Sequence, residues 1–286
     1  MSLETFLTVI LEAVWDTLRM LPFLFGAYLL MEWLEHRSGE RMEELLARAR
    51  RLGPATGALL GCVPQCGFSV AAAQLYAGRV ITMGTLAAVF LSTSDEAVPL
   101  LLGDPGRAGM LLPLLGLKAA VGVLVGMAID RALPPREDLS AGEGIHDLCE
   151  HCGCEEKGIL SAALRHTGSI ALFILAVGLL LGGGTALLGE TRLAALLLSG
   201  NLFQPVIAAL VGLVPNCAGS VLLTRLYLSG SLSFGSLAAG LLPASGVGLL
   251  VLLRQNPRPR ENLTVLAILW GVGTAVGLAL QLAGDL

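Results

Sequence analysis

Two adjacent carboxylates, Asp95 and Glu96, stand inside an otherwise apolar stretch of the sequence. Residues 97–102, which follow them, are again apolar. A carboxylate at the centre of a membrane helix costs about 2.5–3.5 kcal/mol, so two neighbours need a partner or a ligand there. Together with the hydroxyl of Ser94, they are therefore candidate ligands for a cation. The alternative is that a membrane span ends at Ser92 and the acids lie in the headgroup region.

A proline, an amide side chain and a cysteine follow one another at two places, Pro64-Gln65-Cys66 and Pro215-Asn216-Cys217. Proline lacks a backbone donor and breaks a helix. The backbone groups that such a break frees are tolerated at membrane depth only inside protein or beside water. The four candidate ligands are Gln65, Cys66, Asn216 and Cys217. The simpler alternative is that both places are tight tips in which the amides cap loose backbone.

A single lysine, Lys118, stands in the apolar run 111–129. Its ammonium can snorkel to the membrane surface or pair with Asp95 or Glu96. A structural ion pair and a role in proton coupling are both open at this point.

A polar stretch near the middle of the chain combines thiols and imidazoles at short spacing. Its candidate metal ligands are His146, Cys149, His151, Cys152 and Cys154. Thiolates with imidazoles suit a borderline or soft metal such as zinc, although the spacing is tighter than in a zinc finger. The alternative is a linker whose thiols are incidental.

These groups belong to a chain with the composition of a membrane protein. Of its 286 residues, 55% are hydrophobic and 14% are charged, whereas a soluble domain carries about 25% charged residues. Apolar runs of about 20 residues, enough to cross a bilayer as helices, recur between short polar breaks. The sequence has no nucleotide-binding motif, no Ser/His/Asp set and no basic aromatic surface. ATP-driven transport, triad hydrolysis and nucleic-acid binding are therefore not expected.

The sequence also repeats itself, because residues 57–102 recur as residues 208–253. The aligned polar and special residues include the pairs Ser69/Ser220, Tyr76/Tyr227, Gly84/Gly235 and Ser94/Ser245. The counterparts of Asp95-Glu96 are Gly246-Val247, which favours a functional role for the two acids, and the counterpart of Lys118 is Leu269. We expect a first membrane repeat in 1–130, a cytoplasmic linker in 131–158 and a second membrane repeat in 159–286.

Each repeat is predicted to supply five membrane segments, ten overall, if both arms of a broken, re-entrant hairpin (54–78 and 205–229) are counted. The next apolar runs, 80–102 and 231–253, count as one segment each. Loops rich in Lys and Arg favour the cytoplasm. The basic loops at 37–53 and 254–260 correspond to weakly basic loops in the other repeat, near 188–203 and 103–109, so corresponding loops are expected on opposite sides of the membrane. The prediction is an all-α, multi-pass protein of the inner cell membrane with two inverted-topology repeats. Substrate sites of such transporters lie near the midplane, where broken helices meet.

Three motifs carry a resemblance to a known family: Val63-Pro64-Gln65-Cys66-Gly67, Ser92-Thr93-Ser94-Asp95-Glu96-Ala97 and the Cys/His loop at 146–154. With them the chain resembles the prokaryotic ten-span heavy-metal exporters, which are described variously as arsenic efflux proteins or manganese transporters. The likeness covers nearly the whole chain. It implies a metal-related permease.

The ligand set predicts a secondary transporter, most simply an exporter, of a divalent transition-metal cation. Carboxylate, amide and hydroxyl oxygens suit hard cations while the thiols shift the preference towards softer ones, which favours Mn²⁺. Without an ATPase motif the driving force is expected to be an ion gradient, with protons carried by Asp95, Glu96 or Lys118. The expected partners are the metal ion, protons and the lipid bilayer, and a homo-oligomer is compatible with the sequence. No resident cofactor is expected, apart from zinc as a candidate ligand of the loop.

Three alternatives remain open. The first is an efflux permease for arsenite or another oxyanion, with Cys66 and Cys217 as thiol contacts and Lys118 as the counter-charge. The second, from another class, is an intramembrane metal-dependent enzyme built on the acidic pair. The third is a sensor that binds metal through the loop and transports nothing.

Overall fold

The computed structural model describes residues 52–63, 67–94, 97–103, 106, 108–133, 203–215 and 217–284, together with short runs within 10–29 and 164–180. Every regular element in these ranges is helical. Gln65, Cys66, Asp95, Glu96, Asn216 and the whole Cys/His loop lie outside the described residues.

Ten helices of the described chain form five pairs along the sequence repeat. In the first half they are α1 (52–61), α2 (Gly67–Ala77), α3 (Met83–Ser92), α4 (Ala97–Leu102) and α5 (Leu111–Ala132). In the second half they are α6 (Gln204–Gly212), α7 (Cys217–Leu228), α8 (Phe234–Leu241), α9 (Gly248–Gln255) and α10 (Pro259–Leu282). A 3-10 turn, Ala108–Met110, precedes α5, and a further helix covers Thr167–Ala176.

Three stretches of the described chain are long and apolar enough to cross a membrane: Met83–Leu102, Leu111–Ala132 and Pro259–Leu282. They differ in burial, since 75% of the most apolar window of Met83–Leu102 is buried against 28% and 22% for the other two. Exposed leucines on α5 and α10 are the surface expected of helices that face lipid. The chain is therefore a multi-pass membrane protein with α3 in its interior.

The start of α3 is fixed by a carboxylate from α5. Thr82 caps the helix by accepting a hydrogen bond from the Thr85 amide at 3.1 Å. Asp130 accepts hydrogen bonds from the Thr82 hydroxyl at 2.8 Å and from the Gly84 amide at 2.9 Å. These bonds satisfy donors that the first turn of a helix leaves free, and they join α3 to α5.

At the start of α8 in the second half, an amide side chain takes the place of the carboxylate. Ser233 caps α8 by accepting from the Ser236 amide at 3.1 Å, and Gln204 accepts from the Ser236 hydroxyl at 2.8 Å. The residue corresponding to Gln204 in the first half is Gly53, which lies directly against Thr85. Gly53 thus leaves room for the Thr85 side chain at the position where the second half has the Gln204 side chain.

Small residues allow the helices of each half to touch along their backbones. A Cβ added at Gly126 of α5 would lie 2.6 Å from the Gly84 carbonyl oxygen and 2.8 Å from the Pro54 Cβ. In the second half, a Cβ at Gly277 would lie 2.8 Å from the Gly235 carbonyl oxygen. Such contacts between small residues are the usual way for membrane helices to approach closely.

The contacts also give the directions of the first-half helices. Gly57 of α1 faces Thr85 and Val89 of α3, whereas Gly61 faces Ser92, so α1 and α3 run parallel. Helix α2 leads into the start of α3 through residues 78–82. The start of α1 and the end of α2 therefore both lie beside the start of α3.

The two halves exchange contacts through their half-length helices. Helix α2 packs on α9, and α7 packs on α4. Ser69 lies against Gly248 near the starts of α2 and α9, and Arg79 bonds to Asn256 beyond their ends. Helices α2 and α9 therefore run parallel.

Both runs that the sequence predicts as one segment each are interrupted. In 80–102, α3 ends at Ser92 and the next two residues are not helical. In 231–253, α8 ends at Leu241, residues 242–247 are not helical, and α9 begins at Gly248. Pro243 removes a backbone donor and clashes with a continuing helix. Gly246 has φ 56°, a left-handed conformation that ends a helix. Hydropathy cannot detect this break, because the residues inside it are mostly apolar.

Candidate functional site

The end of α1 meets the end of α3 beside the position of the predicted carboxylates. The Ser94 amide donates to the Gly61 carbonyl oxygen at 3.1 Å, and Gly61 has no side chain to keep Ser92 away. Ser94 is only 4% exposed. The candidate ligand Ser94 is therefore held inside the protein, where α3 has ended.

The hydroxyl groups of Ser92 and Thr93, at the end of α3, donate their protons to backbone carbonyl groups. Ser92 Oγ donates to the Ala88 carbonyl oxygen at 2.8 Å, and Thr93 Oγ1 donates to the Val89 carbonyl oxygen at 2.7 Å. A hydroxyl has one proton and two lone pairs. Because the proton of each is already directed at backbone, the lone pairs are what these oxygens can offer to a ligand.

Lys118 connects the first half to the second. It lies on α5 and is 3% exposed, and its Nζ donates to the carbonyl oxygen of Leu241, the last residue of α8. On α5, an added Cβ at Gly126 would meet Pro54 and one at Gly122 would meet Ala58, so Lys118, one turn further along, lies at the depth where α1 ends. Lys118 thus lies where α1 and α8 both end. The sequence predicts pairing with Asp95 or Glu96, which are outside the described residues.

The break in the second half adjoins the same region. The end of α6 packs on it, because a Cβ at Gly212 would lie 3.1 Å from the Pro243 side chain. Ser245, the repeat counterpart of Ser94, is 1% exposed, and its hydroxyl has no hydrogen-bond partner among the described residues. A Cβ at Gly248, the first residue of α9, would lie 2.7 Å from the Ser69 hydroxyl.

Helix ends of both polarities lie in this region, and Lys118 contacts the end of α8. The carboxyl ends of α1, α3 and α8 carry partly negative carbonyl groups, and the starts of α2 and α9 carry partly positive amide groups. Broken helices of this kind bind ions through carbonyl ends and anionic groups through amide ends. We call the ends of α1, α3 and α8 with Lys118, Ser94 and Ser245 the central cluster.

Two of the predicted site residues, Ser94 and Lys118, are brought into the central cluster. Cys217 is the first residue of α7. The other predicted residues, outside the described part of the chain, are Gln65, Cys66, Asp95, Glu96, Asn216, His146, Cys149, His151, Cys152 and Cys154. Within the described residues, no group of three or more His, Cys, Asp or Glu side chains could hold a metal ion.

Three groups in or beside the central cluster are not among the site residues predicted from the sequence: Cys62, Ser245 and the Leu241 carbonyl. Ser245 could have been found as the repeat counterpart of Ser94, and Cys62 by its place four residues before Cys66. No sequence signal points to Leu241, because a backbone carbonyl becomes a site only where the helix ends.

A family model described as "Putative, 10TM heavy-metal exporter" matches residues 3–187 and 173–285. The two matched ranges together extend over nearly the whole chain. No curated protein and no solved structure matches this chain.

Proposed function

Because the chain belongs to this family of ten-span heavy-metal exporters, we propose that it is a secondary transporter that carries a divalent transition-metal cation, with Mn²⁺ favoured, by alternating access. The observation that carries the proposal is the central cluster, in which helices from both halves end around one buried lysine. Transporters built from broken helices bind their substrates at such places.

The two repeats are proposed to have inverted topology. Helices α1 and α2 form a hairpin whose two free ends lie at the end of the molecule where α3 starts. Helix α9 runs parallel to α2, so α8, which precedes it, starts at the opposite end. Helix α6 lies along α8 with Gly212 close to Gly240, so the α6–α7 pair opens towards that opposite end. Two repeats that open to opposite sides suit a mechanism in which each side is opened in turn.

The proposed cargo site adds the acidic pair to the described residues. Asp95 and Glu96 stand in the sequence between Ser94 and Ala97, which are both 4% exposed. Two carboxylates would provide the negative charge, and the hydroxyl lone pairs would provide neutral oxygens. Amide oxygens of Gln65 and Asn216 and the thiols of Cys66 and Cys217 complete the proposed ligands. Such a mixed set fits a first-row divalent metal.

Lys118 is the proposed coupling residue. An ammonium that shares a site with a divalent cation disfavours that cation by charge repulsion, and it can lose a proton when the cation binds. Since Lys118 also holds the end of α8, a change in its charge would reach the contact between the halves. Proton release and metal binding would thus be linked.

Efflux of arsenite or another oxyanion is the second candidate, and one observation favours it. The central cluster contains a buried ammonium, Cys62 directly follows the end of α1, and trivalent arsenic binds thiols. This function would use Lys118 as counter-charge instead of coupling residue. An intramembrane enzyme is not favoured, because the family description is one of transport.

The Cys/His loop is proposed to tune transport. Metal binding to its thiolates would be pH-dependent. It stands between the two repeats in the sequence and has no counterpart in either. The loop is therefore proposed as a cytoplasmic regulatory site for zinc, apart from the cargo pathway.

The proposal is tested by flux into proteoliposomes. A panel of Mn²⁺, Zn²⁺, Co²⁺ and arsenite is offered with and without a pH gradient, and protein-free liposomes are the control. We expect Mn²⁺ flux driven by the gradient, and its loss in Asp95→Asn and in Glu96→Gln with the protein still folded. Arsenite flux that survives Asp95→Asn would move the assignment to the oxyanion permease. Unchanged Mn²⁺ flux in both variants would refute the carboxylate site.

A further inference from the structure

A polar cluster joins the two halves at the end of the molecule where α2 and α9 finish. Arg79 Nη1 donates to Glu261 Oε2 at 2.9 Å, and the Tyr76 hydroxyl donates to the same oxygen at 3.0 Å. Arg79 Nη2 donates to Asn256 Oδ1 at 3.2 Å. The guanidinium also lies over the Tyr76 ring, 5.4 Å from its centroid. Two residues of the first half thus hold two residues of the second.

Residues of the second half complete the cluster. Arg258 Nη1 donates to Glu261 Oε1 at 3.2 Å, so each carboxylate oxygen has an arginine partner. Asn256 Nδ2 donates to Asn262 Oδ1 at 2.7 Å. The side chains of Arg79 and Glu261 are only 14% and 24% exposed. Partly buried pairs are screened by salt much less than surface pairs.

The backbone at Arg79 is in a conformation that favours glycine. Its φ is 60°, and among the described residues it is the only non-glycine residue with positive φ. The corresponding residue of the second repeat is Gly230, with φ 77°. A strained residue that a glycine could replace is a reason to look for a function of its side chain.

The other end of the repeat pair lacks this cluster within the described residues. The counterparts of Glu261 and Asn262 are Met110 and Leu111. Tyr227, the counterpart of Tyr76, packs edge-to-face on Phe234 with ring centroids 6.2 Å apart. One end is therefore closed by charges and hydrogen bonds, whereas the counterparts of Glu261 and Asn262 in the described part of the other end are apolar.

We propose that the Arg79–Glu261 pair is a gate that closes the route between α2 and α9 from this end of the molecule to the central cluster. Along that route Ser69 and Gly248 are in direct contact, so access requires α2 and α9 to separate. Separation pulls Arg79 away from Glu261, which is anchored next to Asn256. The gate rests on the proposed transport function, since a protein that alternates access must break and remake such a contact.

A cysteine reporter tests the gate without measuring flux. Ser69→Cys is placed in a chain whose six native cysteines are changed to serine. The protein is reconstituted in lipid nanodiscs, which leave both faces open to a membrane-impermeant maleimide. Ser69 is fully buried, so its labelling rate reports opening. Ser220→Cys, at the corresponding buried position of the second repeat, is the matched control.

Two gate variants are compared with this background. Arg79→Gly introduces the residue of the other repeat and removes the strain, and Glu261→Gln keeps the shape of the side chain. Each is expected to speed labelling at Ser69→Cys about tenfold, which corresponds to about 1.4 kcal/mol, with no increase at Ser220→Cys. The double variant is expected to match the single ones, since both remove one interaction. Arg79→Lys keeps the charge, so its labelling rate at Ser69→Cys should stay nearer to the rate with Arg79 and Glu261 both present.

The gate is refuted if labelling at Ser69→Cys does not change, or if it rises equally at Ser220→Cys, which would mean general loosening. If Glu261→Gln does not fold, Arg79→Gly alone gives the same decision. Flux of Mn²⁺ is measured separately in proteoliposomes. Failure of flux in the unmodified chain would refute the transport function, whereas the labelling rates report on the gate in either case.

Discussion

The contact between α5 and α3 should be sensitive to one methyl group at Gly126. A Cβ there would lie 2.6 Å from the Gly84 carbonyl oxygen and 2.8 Å from the Pro54 Cβ, and backbone cannot move aside as a flexible side chain can. Gly116, on the same helix, has nothing within 4 Å of an added Cβ. Gly126→Ala and Gly116→Ala are therefore a matched pair that differs only in packing.

The expected difference follows from two terms. Both variants gain helix propensity of up to about 1 kcal/mol, and this gain cancels in the comparison. Overpacking at Gly126 costs about 1–3 kcal/mol. At about 2–4 °C per kcal/mol for a large domain, Gly126→Ala should unfold roughly 2–12 °C below Gly116→Ala. Because α5 also carries Lys118, a displaced helix should move its ammonium from the Leu241 carbonyl and reduce flux.

The assay is thermal unfolding of both variants in the same detergent and at the same scan rate, followed by size-exclusion chromatography. The same scan rate is needed because unfolding of membrane proteins is often irreversible. Equal midpoints for the two variants would refute the close packing of α5 on α3. A lower midpoint of Gly116→Ala would refute the lipid-facing position of that residue.

Three further predictions concern single groups. Lys118→Met should abolish the dependence of metal flux on a pH gradient, measured in proteoliposomes; a preserved dependence would remove Lys118 from the coupling. Serine at Cys149, Cys152 and Cys154 together should lower zinc binding to the solubilised protein but leave flux present, and complete loss of flux in folded protein would place the loop in the cargo pathway. Asp130→Ala leaves two buried donors at the start of α3 without their acceptor and should cost about 1–3 kcal/mol. Its unfolding midpoint is the measurement, and an unchanged midpoint would show that water replaces the carboxylate.

The sequence by itself determined the membrane character of the chain and the positions at which α1 and α6 stop. Apolar runs must satisfy their backbone groups internally in lipid, so they form helices. Residue types that cannot continue a helix are visible without a structure. Helix α1 ends at residue 61, just before Pro64, and α6 ends just before Pro215. Lys118 was also identified from the sequence, since a lone charge in an apolar run requires a reason.

The sequence did not predict the break between α8 and α9. Pro243 and Gly246 stand within it, but their neighbours are apolar or small, and the hydrophobic pattern continues across them. A pattern of side-chain hydrophobicity reports burial and not backbone continuity. The interruption of 231–253 was not predicted for this reason.

Only the tertiary structure decided which groups meet across the halves. The bond from Lys118 to the Leu241 carbonyl and the pair between Arg79 and Glu261 join residues that are 123 and 182 positions apart. No local periodicity encodes such a meeting, because it depends on how two separately formed bundles of helices pack. The partner of Lys118 is moreover a backbone oxygen, whose chemistry is the same at every residue. It becomes available only because α8 stops at that depth, within reach of the lysine.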